Sequence, residues 1–242
     1  TICYDPMKDS IMDTAKKYIL AIDIGTSGPK AALIDTSGDV LDFEFKKIKL
    51  YVLAGGGVEQ DPNQWWQAIL EVSQRLLERV SIPRENIAGV CCTSQWSCTV
   101  AVDKAGNPLM NAISWMDTRG AAPLSDITDG LIKIEGYNIF KLIKWIRLTG
   151  GVPSIAGRDP ANHILYIKTA LPDIYKKTYK FLEARDYINL CLTGKFCTSP
   201  DCITLHWVTD NRDIKNVRYD DRLIKMLGIP REKLPDIRPS TS

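Results

Sequence analysis

The residues best suited to chemistry lie in the run 23–30, which has the sequence DIGTSGPK. Its two glycines let the backbone come close to a ligand, so that N–H groups can surround an anion. The hydroxyl groups and the lysine add donors and a positive charge, a set that suits the β- and γ-phosphates of a nucleotide. The predicted phosphate-binding residues are Gly25, Thr26, Ser27 and Lys30. The simpler alternative is a hairpin with a polar turn, because short Gly/Ser turns are common.

Asp23 is the candidate metal ligand of this run. It interrupts an otherwise apolar stretch, where a carboxylate is costly unless it is paired or lies near a metal ion. Beside bound phosphates, we expect it to hold Mg²⁺ directly or through a water molecule. The sequence contains no G-x-x-x-x-G-K-[ST] motif and no G-x-G-x-x-G after a strand. A P-loop NTPase and a Rossmann dehydrogenase are therefore unsupported.

The strands that must position this run are predicted from apolar periodicity and turn residues. Three β-type runs, 18–24, 30–35 and 40–50, are separated by two breaks rich in Gly, Ser and Thr. Short breaks between β-type runs predict an antiparallel meander.

A helix is predicted to follow the meander. Asp61 can cap it, Pro62 suits its first position and Gln64 can complete a capping box. Residues 87–92 then predict a buried strand, and residues 99–102 predict another. Four further helices are predicted over residues 140–146, 164–171, 184–192 and 220–227. This order of elements favours an α/β or α+β layered domain.

The composition is that of a globular protein with little net charge. The chain has 242 residues, of which 45% are hydrophobic and 25% charged, and its net charge is +2. This balance gives no electrostatic reason to expect nucleic acid or an anionic membrane as a partner. No apolar run approaches the roughly 18 residues of a membrane span. The seven cysteines are odd in number and lack zinc spacing, which favours the reducing cytoplasm.

A second motif narrows the function. Residues 57–66, GVEQDPNQWW, resemble the G-x-x-E-Q-D-P-x-x-W-W segment of the FGGY carbohydrate kinases. A capped helix accounts for Asp61 and Pro62, but not for the whole run. Further segments that resemble this family are 87–103, 113–119, 183–187, 192–194, 199–201 and 228–235. The resemblance divides the chain into an N-terminal extension, 1–17, and the N-terminal domain of such a kinase, 18–242.

The resemblance implies an α/β, ribonuclease-H-like domain of the actin and hexokinase ATPase type. Its mixed sheet begins with an antiparallel meander and is flanked by helices. The implied activity is attack of a sugar or polyol hydroxyl on the γ-phosphate of ATP, with Mg²⁺ as cofactor and a xylulose-like substrate favoured. ATP and sugar would meet in a cleft between this domain and a C-terminal kinase domain, where positioning and charge stabilisation supply most of the catalysis.

The family's sugar-contacting pair corresponds to Trp96 and Ser97, which follow Gln95. Xylulokinase-like members have Gln-Met-His here and glycerol kinases have Gln-Arg-Glu, so only Gln95 agrees with both and the sugar stays open. Trp96 can stack on a sugar and Ser97 can bond to a hydroxyl, or Trp96 can instead fill core space. Asp117 and Arg119 are further candidate sugar contacts, with a mutual ion pair across a loop as the alternative.

The family's general base is an Asp in a G-G-x-D loop, and no such segment occurs before Ser242. The resemblance therefore implies that the chain alone binds phosphate weakly and has negligible turnover. The rival hypothesis is a non-catalytic sugar-binding or interaction module derived from such a kinase. A cleft wall without its partner domain exposes apolar surface, so self-association, including a homodimer, is also expected.

Overall fold

A computed structural model describes residues 16–240 of the chain. Most of the predicted extension 1–17, and the last two residues of the predicted domain 18–242, therefore lie outside the described residues.

Within residues 16–240, five strands precede the first α-helix, and strands and helices are mixed after it. The strands are β1 (Tyr18–Gly25), β2 (Gly28–Asp35), β3 (Val40–Phe45), β4 (Tyr51–Leu53), β5 (Gly57–Gln60), β6 (Ile87–Ser94), β7 (Val100–Val102), β8 (Ala112–Ile113), β9 (Lys133–Ile134), β10 (Tyr137–Asn138), β11 (Lys180–Leu182), β12 (Cys197–Thr198), β13 (Thr209–Asp210), β14 (Arg218–Tyr219) and β15 (Asp236–Ile237). The helices are α1 (Pro62–Val80), α2 (Ala121–Thr128), α3 (Ile139–Thr149), α4 (Pro160–Ala170), α5 (Pro172–Lys177), α6 (Ala184–Thr193), α7 (Pro200–Ile203) and α8 (Asp221–Leu227).

The central sheet has the strand order β3-β2-β1-β6. β2 is antiparallel to both β1 and β3, whereas β6 is parallel to β1. The predicted meander and the mixed sheet of an α/β domain are therefore confirmed. The third strand is shorter than predicted and ends at Phe45. After Phe45, the Lys46 and Ile48 N–H groups donate hydrogen bonds to the carbonyls of Pro29 and Ser27. This segment therefore runs alongside the start of β2 and the preceding turn, but without regular strand pairing.

Helix α1 begins where the sequence predicts. Asp61 caps its start by accepting a hydrogen bond from the Asn63 N–H at 2.9 Å. The Gln64 side chain donates to the Asp61 carboxylate at 3.4 Å and does not accept from the Asp61 N–H, so the predicted capping box is not formed. Ser81, with a φ of 51°, ends the helix in the left-handed region. The helix packs across β2 and β3. Its buried face consists of Trp65, Ala68, Ile69, Val72 and Leu76 at helical spacing.

The prediction of a buried strand at residues 87–92 was right about the strand and wrong about its burial. β6 forms an edge of the central sheet within residues 16–240, and most of its residues are exposed. An edge strand has a neighbour on one side only, so its apolar composition does not guarantee cover.

Two smaller sheets bring distant segments to the end of β1. β5 pairs with β4 and with β8, so that Glu59 lies opposite Ile113. β7 pairs antiparallel with β11, which places the loop before β7 next to the start of α6. A hydrophobic cluster built mainly on α3, α4 and α8 includes buried side chains of β7, β8 and β11. Among the helices of the described part of the chain, none has the length and hydropathy that a membrane crossing requires.

Candidate functional site

The turn between β1 and β2 forms a tight hairpin of residues 23–30, called here the 23–30 hairpin. Gly25 pairs with Gly28, and the chain passes so close that a Cβ on Gly28 would lie 2.0 Å from the carbonyl oxygen of Lys46. The φ of Gly28 is 147°, which also requires glycine. Asp23 and Lys30 face each other in register, with 3.3 Å between Asp23 Oδ2 and Lys30 Nζ. A carboxylate and a cation therefore stand side by side at the base of the turn.

The tip of the hairpin consists of Thr26 and Ser27. Among the backbone hydrogen bonds of the described turns and loops, none has either of their N–H groups as donor. The side chain of Lys30 is 49% exposed beside them. Two N–H groups and a solvated ammonium group at one turn can bind an anion.

Thr26 belongs to a closed ring of hydrogen bonds, called here the Thr26–Gln60–Gln95 ring. Its hydroxyl donates to Gln95 Oε1 at 2.8 Å, Gln95 Nε2 donates to Gln60 Oε1 at 2.7 Å, and Gln60 Nε2 donates to the Thr26 carbonyl at 2.8 Å. The Trp115 indole N–H donates to the Thr26 hydroxyl at 3.2 Å. Since the Thr26 hydroxyl hydrogen is engaged inside the ring, the N–H is the group that Thr26 can offer to an anion. The ring joins the hairpin to the segments carrying β5, β6 and Trp115.

The loop of residues 95–98 continues from this ring. Trp96 is 66% exposed, which rules out the alternative that it fills the core. Ser97 is buried and has a φ of 57°, a backbone strain of about 1 kcal/mol or more. Its hydroxyl donates to the Arg158 carbonyl at 2.7 Å, so its oxygen retains an acceptor role. The loop thus presents an exposed aromatic face next to a fixed hydroxyl group.

Asp117 and Arg119 form a buried network with Glu59, called here the Arg119 network. Nη2 of Arg119 lies 2.7 Å from both Asp117 Oδ2 and Glu59 Oε1. Its Nη1 donates to the Tyr166 hydroxyl at 3.1 Å, and its guanidinium group lies 4.5 Å from the Tyr166 ring centroid. Asp117 is 0% exposed and also accepts from the Val58 N–H at 2.8 Å. The structure thus forms the ion pair that was the alternative to sugar contact, and a direct role with the sugar stays a prediction.

A cavity of about 310 Å³ opens beside the 95–98 loop. Its lining includes Trp96, Ser97, Glu183, Arg185 and Cys202. A cavity of similar size lined by basic side chains, among them Arg147, Arg212 and Arg222, shares none of these residues and none of the predicted site residues.

Several residues at this site were not predicted as site residues. Glu59, Gln60 and Trp115 lie inside the segments that resemble the family. For Glu59 and Gln60, the place of two polar residues in that motif could have indicated a site role. Glu183 lies inside the segment 183–187 that resembles the family, but that segment was not predicted to reach the site. Tyr166 carried no signal, because only the tertiary pairing of distant elements brings it to Arg119.

Asp23 is the one predicted metal ligand. Within residues 16–240, no group of three or more His, Cys, Asp and Glu side chains could hold a metal ion. Mg²⁺ is commonly bound by one or two carboxylates together with substrate phosphates. Asp23, 41% exposed beside the tip of the 23–30 hairpin, fits that kind of site.

Comparison with known sequences identifies the family. A sequence model described as the FGGY family of carbohydrate kinases, N-terminal domain, matches residues 18–242. A glycerol kinase from Listeria monocytogenes is 33% identical over 230 residues, which cover 93% of this chain and 44% of the relative. The chain therefore spans less than half the length of the curated relatives it matches.

Comparison with solved structures supports the fold. The gluconate kinase from Lactobacillus acidophilus superposes with a TM-score of 0.78 at 24% identity, over 93% of this chain and 42% of that one. A ligand-bound xylulose kinase from the same organism gives a TM-score of 0.77 at 23% identity, over 92% and 42%. At these identities the likeness concerns the fold alone, and it agrees with the predicted domain.

Proposed function

This chain belongs to the FGGY family of carbohydrate kinases, and we propose that it forms the part of such a kinase that binds the sugar or polyol and faces the phosphates of ATP. The observation that carries the proposal is the Thr26–Gln60–Gln95 ring. Its 2.8 Å bond from Thr26 to Gln95 holds the 23–30 hairpin against the loop that bears Trp96 and Ser97. A hydroxyl bound at the loop and a γ-phosphate bound at the hairpin would be held close together, and such positioning, with charge stabilisation, supplies most of the catalysis in phosphoryl transfer.

The hairpin residues have distinct proposed roles toward ATP. The N–H groups of Thr26 and Ser27 donate to the β- and γ-phosphates, and Lys30 moves from Asp23 to neutralise their charge. Gly25 keeps the space above the turn open, since a Cβ there would lie 3.2 Å from Lys30 Nζ. Asp23, released from Lys30, is the residue that would hold Mg²⁺, which when bound supplies further neutralisation of the phosphates.

The loop residues have proposed roles toward the sugar. Gln95 is held by the ring, Trp96 stacks on the apolar face of the substrate, and Ser97 accepts a hydrogen bond from one of its hydroxyls. We favour a xylulose-like ketose, because the exposed indole of Trp96 offers more apolar area than a three-carbon polyol can cover. Glycerol is the second candidate, since several curated relatives at 28–33% identity are glycerol kinases. Asp117 and Arg119 support this region through the Arg119 network.

Turnover is proposed to require a C-terminal kinase domain, which would supply the adenosine contacts and the general base implied by the family resemblance. The 242-residue chain should then bind sugar and phosphates without phosphorylating the sugar. The rival proposal is a sugar-binding module with no role in phosphoryl transfer. The two differ in whether the 23–30 hairpin binds phosphates.

Titration of the 242-residue chain with MgATP, magnesium triphosphate and adenosine tests the hairpin. We expect the two triphosphates to bind and adenosine to bind far more weakly. Lys30→Met should weaken both triphosphates, whereas the control Lys104→Met, at an exposed turn, should not. Triphosphate binding that is unchanged in Lys30→Met would contradict the proposed phosphate site.

Calorimetric titration with d-xylulose, glycerol and gluconate tests the sugar site. Binding of a sugar or polyol, weakened by Trp96→Ala, together with triphosphate binding supports the kinase proposal. Sugar binding without triphosphate binding would support the module instead. Binding of neither class of ligand would overturn both.

A further inference from the structure

The cavity beside the 95–98 loop contains a buried carboxyl group that the roles above do not use. Glu183 follows β11 directly, and the pairing of β11 with β7 brings it under the loop. The Cys98 N–H donates to Glu183 Oε2 at 3.0 Å, which fixes the side chain. Glu183 is 2% exposed and is the N-cap residue of α6, where its side chain faces the Asp186 N–H in a capping box. Its second oxygen, Oε1, nevertheless has no hydrogen-bond partner of good geometry within residues 16–240. A buried polar atom without a partner is rare in folded proteins and calls for a ligand or a water molecule.

The charged neighbours of Glu183 do not satisfy that oxygen. Nη2 of Arg185 donates to Ser199 Oγ and to Asp201 Oδ2, each at 2.7 Å, so this cation is engaged elsewhere. Burial, and to a smaller extent the charge of Asp186, raise the pKa of Glu183 well above its ordinary value. A higher pKa favours the protonated carboxyl group, which can donate as well as accept a hydrogen bond.

The cavity also has the shape and rim of a small-molecule site. Its volume of about 310 Å³ falls within the range of ligand pockets, at the small end. The exposed indole of Trp96 stands at its rim and the buried Ser97 lines it, so the same cavity joins the proposed sugar contacts to Glu183.

We propose that Glu183 is a specificity-determining residue that binds one hydroxyl of the substrate inside this cavity, with Trp96 covering the apolar part of the same molecule. The proposal rests on the proposed function, since it assumes that the sugar or polyol binds at the 95–98 loop. The cavity would then select a neutral polyhydroxyl compound that can place a hydroxyl on Glu183. An analogue without that hydroxyl leaves the buried carboxyl group unpaired, which is the strongest form of discrimination that a hydrogen-bonding site offers.

The test is an NMR titration of the 242-residue chain with glycerol, xylitol and d-xylulose, followed at the indole N–H signals of its six tryptophans. Trp96→Phe assigns the Trp96 signal. The deoxy analogues of the compound that binds most tightly are then titrated, each lacking one hydroxyl. One analogue should bind the wild type at least about 10-fold more weakly than its parent.

Two variants separate hydrogen bonding from packing. Glu183→Gln retains an acceptor for the Cys98 N–H and a donor for the ligand, and should bind the parent within about 3-fold of the wild type. Glu183→Leu should lose at least about 10-fold in affinity and should no longer discriminate against the deoxy analogue. Glu85→Gln, at an exposed position, is the matched control and should behave as the wild type.

The outcomes are distinct. If the Trp96 signal responds but Glu183→Leu binds as tightly as the wild type, Glu183 holds only water and this inference fails while the proposed function stands. If no compound shifts any indole signal, both the proposed sugar site and the proposed role of Glu183 are contradicted. Should Glu183→Leu not fold, the ¹³C signal of the Glu183 carboxyl group, assigned with Glu183→Gln, must shift on saturation, and an unchanged signal would overturn the proposal.

Discussion

Replacing Arg119 by methionine should destabilise the protein more than the loss of any exposed ion pair. Methionine keeps much of the volume of the side chain but removes its charge and its fork of donors. The substitution breaks the contacts of Arg119 with two carboxylates, Asp117 and Glu59, and with the Tyr166 hydroxyl. Asp117 is fully buried, so water cannot replace the lost partner.

The size of the effect can be worked from these contacts. Removing one partner of a buried ion pair typically costs about 3–5 kcal/mol. Asp117 retains the N–H groups of Val58 and residue 119, and Glu59 retains the Asn111 side chain at 3.2 Å. The lower end, about 3 kcal/mol, is therefore expected. In a domain of this length it corresponds to a fall in Tm of roughly 6–12 °C.

Urea unfolding followed by circular dichroism and by tryptophan fluorescence measures the change. Arg79→Met is the matched control, because Arg79 also contacts two carboxylates, Asp42 and Glu44, but is about half exposed. Exposed pairs contribute little because water screens them. Arg119→Lys should lie between the wild type and Arg119→Met, since it keeps the charge without the fork. Equal shifts for Arg119→Met and Arg79→Met would refute the reasoning.

Three further predictions concern other parts of the molecule. Gly28→Ala should lower the Tm more than Gly38→Ala in calorimetry: both glycines have positive φ, but a Cβ would lie 2.0 Å from a backbone oxygen at Gly28 and meet nothing within 4 Å at Gly38. A double-mutant cycle of Thr26→Val and Gln95→Met should give a coupling free energy of about 0.5–1.5 kcal/mol in urea unfolding, and a value of zero would show that the ring does not stabilise the fold. Burial raises the pKa of Asp186 to about 7. Between about pH 4 and about pH 7 the folded state therefore keeps the Asp186 proton while the unfolded state has lost it. The free energy of unfolding consequently falls as the pH rises through that window. Relative to the wild type, the free energy of unfolding of Asp186→Asn should therefore increase from about pH 5 to about pH 8, by at most about 1.4 kcal/mol per pH unit, in urea unfolding. The same difference between variant and wild type at both pH values would contradict a raised pKa at Asp186.

Local signals were sufficient for the elements around the 23–30 hairpin. Glycines and hydroxyl residues at 25–28 break the apolar runs and give the turn, and Asp61 with Pro62 gives the start of α1. These features depend on residues close together in the sequence, where turn and cap preferences act directly. The shorter third strand was not predictable in this way, because its end depends on where the chain meets β2 again.

Burial and partner choice were harder to predict than secondary structure. Tryptophan is usually buried, yet Trp96 is exposed. Arginine is usually exposed, yet Arg119 is largely enclosed by Glu59, Asp117 and Tyr166. The type of a residue indicates only its average burial. The partners of Arg119 lie up to 60 positions away, and only the pairing of β5 with β8 brings Glu59 to it.

The motif at residues 57–66 is recognisable because consecutive residues bind different parts of the molecule. On β5, Glu59 binds Arg119 and the adjacent Gln60 binds Thr26, since neighbouring residues of a strand point to opposite sides. Asp61 then caps α1, whose Trp65 is fully buried against the sheet. Each of these contacts needs its own side-chain chemistry, so the run cannot be replaced by a generic strand followed by a generic helix. A segment that ties the hairpin, the Arg119 network and α1 together within a few residues therefore indicates the family more specifically than the 23–30 hairpin does.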